Sequence, residues 1–139
     1  MFIQQIPPGT TSLVQPLDVL GFRPWKNFVR HMEDFVILHD IPVTLSQRNN
    51  ALKVQSLAFE QIRSPRYKAL FQLSWHKAGL LSERPDSSFP CPVQFGFKGQ
   101  DFLCSCCEEL TMIRCSWCKQ SLCFSHFFVE HHICNNYVP

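Results

Sequence analysis

The sequence predicts a mainly helical α+β chain that ends in a small module held by metal. Three observations carry this. Apolar residues recur at helical spacing between Pro24 and Ala78, a short apolar run opens the chain at residues 2–6, and eight potential metal ligands in four close pairs lie between positions 104 and 134. A chain of 139 residues holds one ordinary domain, or a small helical body and a mini-domain too small to stabilise its own core without metal. The second division fits better: residues 1–81, a connection over 82–100, and a Cys/His-rich module over 101–137.

Phe2, Ile3 and Ile6 read as a short strand, ended by Pro7 and Pro8, with Gly9 to Ser12 as a polar turn. A first helix begins at Pro24, whose fixed φ suits the first helical position. Trp25, Phe28, Val29, Met32, Phe35 and Val36 recur at three and four, opposite Lys26, Asn27, Arg30, Glu33 and Asp34. A second helix starts near Ser46 as N-cap, carries Ala51, Val54, Leu57, Ala58 and Ile62 on one side, and fails before Pro65. In the third, Ser64 caps, Pro65 takes the first turn, and Tyr67, Leu70, Phe71, Trp75 and Ala78 form the stripe that Gly79 stops. Residues 82–100 hold Pro85, Pro90, Pro92, Gly96 and Gly99 and suit an extended connection, with Cys91 standing alone as an ordinary thiol.

The C-terminal pattern is C-x2-C-x7-C-x2-C-x4-C-x2-H-x4-H-x2-C, through Cys104, Cys107, Cys115, Cys118, Cys123, His126, His131 and Cys134. Four close pairs supply two tetrahedral zinc sites, since two pairs complete one coordination sphere. A crossed order puts Cys104, Cys107, Cys123 and His126 on one ion and Cys115, Cys118, His131 and Cys134 on the other. Cys118 and Cys123 are five apart, which suits a hairpin carrying one pair to each metal; sequential pairing is the alternative. Cys106 is an alternative to a neighbour, and His132 to His131. Ligand sets built wholly from Cys and His leave no position for water, so the expected ions are two structural Zn2+. Trp117, Phe124, Phe127 and Phe128 are the expected miniature core.

A disulfide framework is the competing use of the cysteines and belongs to oxidising compartments. Residues 1–22 contain no Lys or Arg, and Pro7, Pro8 and Gly9 interrupt any apolar stretch, so no signal peptide is visible. The expectation is a nuclear or cytoplasmic chain, not secreted, without a membrane span. The formal charge of +2 advertises no global field for nucleic acid. The helical body is richer in Lys and Arg than the module, but Glu33, Asp34, Asp40 and Glu60 interrupt any stripe. His31, His39 and His76 lie apart from the ligand cluster and receive no role.

The run I-P-P-G-T-T-S-L-V-Q-P-L-D-V, from Ile6 to Val19, resembles the signature around the third catalytic carboxylate of DDE superfamily transposases, the mariner and pogo group. Residues 1 to about 80 are similar to the end of such a protein: last strand, P-P-G-T-T-S loop, Q-P-L-D, then helices finishing in W-x3-G. The resemblance implies the end of an RNase H-like core, one strand plus helices. Asp18 would then be the third acidic catalytic residue of a DNA-cutting and strand-transfer enzyme that uses two Mg2+ (or Mn2+). Two-metal phosphoryl transfer needs ions about 3.5–4 Å apart held by several hard oxygen ligands. Residues 1–17 contain no Asp or Glu, so the expectation is that this chain alone does not cut DNA. The C-terminal spacing is similar to B-box and RING-like cross-brace domains, and C-x2-C-x4-C-x2-H resembles the cysteine-rich tail of piggyBac-type transposases.

The readings that follow are a transposase-derived fragment, incomplete for catalysis, or a zinc-dependent binding module without activity, or a nonfunctional transposon relic. By resemblance, the complete protein binds DNA at transposon ends, and the zinc module contacts that DNA, a protein partner or a second copy. Within 104–134, Arg114 and Lys119 face Glu108, Glu109 and Glu130, too little positive charge for strong phosphate binding.

Overall fold

Helical periodicity and the hairpin spacing translate into a mainly helical structure with one small antiparallel sheet among the described residues. The computed structural model describes residues 8–10, 14–85 and 102–137. The expected strand at residues 2–6, part of the loop after it, Cys91 and most of the connection lie outside the described residues.

The first helix begins earlier than the proline signal: a π-helical turn, Leu17–Gly21, runs directly into α1, Phe22–Leu38. Gly21 itself has helical φ and ψ of −62° and −37°, so the backbone continues through it without a break. Pro24, Phe28, Met32 and Val36 are buried on α1, at the spacing of one helical stripe. α2 spans Arg48–Ile62, with extended Gln47 as its N-cap in place of Ser46. It buries Val54, Leu57, Ala58, Gln61 and Ile62. A 3-10 turn at Pro65–Tyr67 follows, with Ser64 at the N-cap position but its hydroxyl making no cap bond, and α3 continues over Lys68–Lys77.

α3 lies against the π-helical turn. The buried hydroxyl of Ser74 donates to the Pro16 carbonyl, and Gly21 allows the approach, since a Cβ there would meet Leu17 Cδ2 at 3.0 Å and Phe71 Cε1 at 3.4 Å. α3 ends as its glycine predicts. Gly79 has φ +76°, its N–H reaches His76 O at 2.9 Å, and Leu80 N–H reaches Trp75 O at 3.0 Å, which is the Schellman arrangement.

The C-terminal module is built on a hairpin, β1 (Ile113–Arg114) and β2 (Ser121–Leu122), antiparallel with Ile113 opposite Leu122 and Arg114 opposite Ser121. An isolated bridge between Leu103 and Leu110 closes the preceding loop, and a π-helical turn, Ser125–Val129, follows the hairpin. Met112, Ile113, Leu122, Phe124, Phe127 and Phe128 are buried, while Trp117 is half-buried.

These side chains do not form a core of their own. Phe28 of α1 meets Phe127 with ring centroids 6.0 Å apart, and the buried residues of α1, α2 and the module make one continuous cluster. Polar contacts reinforce it. His31 Nε2, which had no expected role, sits 2.7 Å from Met112 O. Lys53 Nζ donates to Val129 O at 2.6 Å and lies 5.0 Å from the centre of the Phe128 ring. Among the described residues, no helix is long and apolar enough to cross a membrane.

Candidate metal centres

The hairpin sorts the ligand pairs. Cys115 follows β1 and Cys118 sits in the turn beyond it, so that pair lies at the tip; Cys123 follows β2 at the other end. There, Ser105 N–H donates to Ser121 O at 2.7 Å and Ser121 N–H to the Ser105 hydroxyl at 3.1 Å. These bonds bring the loop of Cys104 and Cys107 alongside Cys123. The outcome is two interleaved quartets: Cys104, Cys107, Cys123 and His126, and Cys115, Cys118, His132 and Cys134.

Within each quartet the potential donor atoms all lie within 4.8 Å of one another. A tetrahedron with metal–ligand distances of about 2.3 Å to sulfur and about 2.0 Å to nitrogen has edges of about 3.8 Å between sulfurs and about 3.5 Å from sulfur to nitrogen. In the first quartet Cys107 and Cys123 Sγ are 3.7 Å apart. His126 Nδ1 lies 3.5 Å from Cys104 Sγ, 3.5 Å from Cys107 Sγ and 3.1 Å from Cys123 Sγ. In the second, Cys118 Sγ is 3.7 Å from His132 Nε2. Both quartets could hold a metal ion, and three thiols with one imidazole are compatible with zinc.

The spacing had pointed to His131, and the structure brings in His132 instead. The backbone explains the exchange. The π-helical turn closes with His131 N–H on Phe128 O at 3.3 Å and His132 N–H on Phe127 O at 3.0 Å, with His131 at φ +57°. That is again the Schellman pattern, in which the residue after the left-handed one folds back over the helix. His132 does so, its ring 6.2 Å from that of Phe127 and 26° from parallel to it. A glycine usually marks this geometry, and its absence here hid it. Cys106 is exposed and belongs to neither quartet.

Thiol electrostatics point the same way. Burial alone would raise Cys104, but the backbone amides of Cys106, Cys123 and Cys107 outweigh it and bring the thiol down to about 6. For Cys115, burial is outweighed by the His132 ring and by the amides of Cys118 and Trp117, again to about 6. Burial, with the charge of neighbouring Cys115, pushes Cys118 up to about 12. Burial foremost pushes Cys123 up to about 12. In each quartet one thiol ionises readily and a neighbour resists, chiefly because burial disfavours its charged form; a divalent cation among them would offset that cost.

Asp18 is exposed on the π-helical turn and belongs to neither quartet. Among the described residues, all seven cysteines are free of disulfides.

No curated protein and no solved structure matches the chain. Residues 75–134 match the family model described as the Tc5 transposase C-terminal domain, a segment that begins at Trp75 in α3 and ends on Cys134, the last residue of the second quartet. All eight gathered residues fall inside it, and the match supports a transposase-derived fragment.

Proposed function

We propose that this chain is the C-terminal part of a DDE-type transposase, or a protein derived from one, and that its two quartets bind structural zinc. The observation that carries the reading is the coincidence of the interleaved quartets with the segment that matches the Tc5 transposase C-terminal domain. Cys104, Cys107, Cys123 and His126 hold one ion, and Cys115, Cys118, His132 and Cys134 the other. Neither set leaves a coordination position for water, so the ions shape the module and do no chemistry. Native mass spectrometry of the purified chain is the test: two zinc ions per chain are expected, and fewer than two overturn the assignment.

In this reading Asp18 descends from the third carboxylate of an RNase H-like active site, and its Mg2+ or Mn2+ chemistry belongs to a complete transposase. One exposed carboxylate does not hold two hard cations. Incubated with Mg2+ and plasmid DNA, the chain is expected to leave the DNA intact; nicking that disappears in Asp18→Ala would overturn this.

The module then works by contact, with transposon-end DNA or with protein. The surface of the module favours protein, since Phe102, Val129 and Ile133 are exposed there and its basic residues are few. Self-association that persists in high salt supports that version, whereas DNA binding with a steep salt dependence supports the other.

A further inference from the structure

The second quartet is completed from outside the matched segment. Gln61, on the last turn of α2, has no solvent exposure, yet it is polar and lies in the centre of the interface between the helices and the module. A buried amide is retained without cost only when its donors and acceptor find partners. Its Oε1 accepts from Ser116 N–H at 2.7 Å and lies 2.9 Å from Ser116 Oγ. Its Nε2 lies 3.7 Å from Cys115 Sγ and 3.5 Å from the Tyr137 hydroxyl.

The orientation of this amide is fixed by chemistry. Ser116 N–H can only donate, so the oxygen of Gln61 must face it and the NH2 group must face Cys115. The network then runs on to another member of the quartet. Tyr137 accepts from Gln61 and donates its own proton to His132 O at 3.3 Å. The helix end is satisfied by the same residues: Ser116 Oγ donates to Gln61 O at 2.8 Å and Trp117 Nε1 to Glu60 O at 2.6 Å. Two of the carbonyls left open at the C-terminus of α2 are thus used to grip the loop between Cys115 and Cys118.

We propose that Gln61 is an outer-sphere positioning residue of the second quartet: it donates Nε2–H to the Cys115 sulfur, fixes the Cys115–Cys118 loop through Ser116, and makes metal affinity there depend on the docked helices. The inference rests on the metal reading above. Three thiolates around one divalent ion leave an excess negative charge, and an N–H aimed at one sulfur offsets part of it. Removal of such a partner typically costs about 10–100-fold in metal affinity. Among the described residues, no side chain of α1, α2 or α3 makes a hydrogen bond to a donor atom of the first quartet, so the effect belongs to one site.

The test loads the full chain with 113Cd. Two 113Cd signals are expected, one of them coupled to the Cys115 β-protons. In the wild-type chain, the Gln61 side-chain amide proton should show a through-hydrogen-bond coupling to that signal and not to the other. Gln61→Glu keeps the shape and the acceptor for Ser116 but removes the donor. It should shift the Cys115-coupled signal and let a competing chelator strip that quartet about 10–100-fold more readily, with the first quartet within about twofold. No amide coupling in the wild-type chain overturns the inference, even where the variant fails to fold, as does equal metal loss from both quartets. A wild-type chain with no second 113Cd signal overturns the metal reading itself, and the inference with it.

Discussion

His131 and His132 are chemically identical neighbours, and a backbone dihedral decides which of them joins the second quartet. At φ +57° His131 occupies a conformation that disfavours any side chain with a Cβ, by about 1–2 kcal/mol. It is held there by the two helix-end hydrogen bonds that also fold His132 inward. Two variants separate the roles. His132→Ala should lower the zinc content from two ions to one by native mass spectrometry, while His131→Ala should keep both; the reverse pattern would restore His131 as the ligand. Asp40 shows the same strain at the end of α1, with φ +47°, Asp40 N–H on Ile37 O at 3.3 Å and Ile41 N–H on Val36 O at 3.0 Å. Asp40 also places a negative charge just past the C-terminus of α1, at the negative end of the helix dipole. Asp40→Gly should therefore stabilise the chain by about 0.5–1 kcal/mol, because the relief of backbone strain exceeds the added freedom of glycine in the unfolded chain. A raised thermal midpoint checks this.

At the scale of elements, the π-helical turn Ser125–Val129 joins ligand to core. It carries His126 toward the first quartet and fully buried Phe127 toward Phe28 of α1. Truncating that ring leaves a cavity between two layers. Phe127→Ala should cost about 3–5 kcal/mol in urea unfolding of the zinc-loaded chain, a large part of the total for a domain this size. The elements that sequence made legible are those whose signals are local. The stripe from Phe28 to Val36, the Gly79 stop, and the five-residue step from Cys118 to Cys123 each needed only a short window. The misplaced features have other causes. Ser46 is a better capping residue than Gln47, but the helix starts where the chain turns, with Ala51 N–H on Gln47 O at 2.8 Å. His132 entered only as the alternative to His131, because a non-glycine residue takes the left-handed position that folds it inward. Gln61 looked like an ordinary polar residue on a helix, since its partner Ser116 is 55 positions away. No local pattern encodes such a contact.

For the whole molecule the question is whether helices and module stand or fall together. Read from sequence, each helix carries its own apolar stripe. The structure divides those stripes differently. Phe28, Met32 and Leu57 belong to the same buried cluster as Met112, Ile113, Leu122 and Phe127, so α1 and α2 use the module as part of their core. Structural zinc contributes on the order of 10–16 kcal/mol of apparent binding energy in small modules, more than a core of this size supplies by itself. On the zinc reading, a strong chelator should make residues 102–137 lose their packing and expose the inner faces of α1 and α2 to water. Each large apolar side chain exposed in this way forfeits about 1.5–3 kcal/mol. Metal removal should therefore speed hydrogen exchange across Phe22–Leu38 and Arg48–Ile62 as well as in the module. The layer of α3 on the π-helical turn, tied by Ser74 and Pro16, joins that core through Leu70, with Leu20 and Phe71 packed against it, and should lose protection along with α1 and α2. Unchanged protection in α1 and α2 after complete chelation would mean that the helical layer is stable by itself, and the shared core would then add packing without cooperativity.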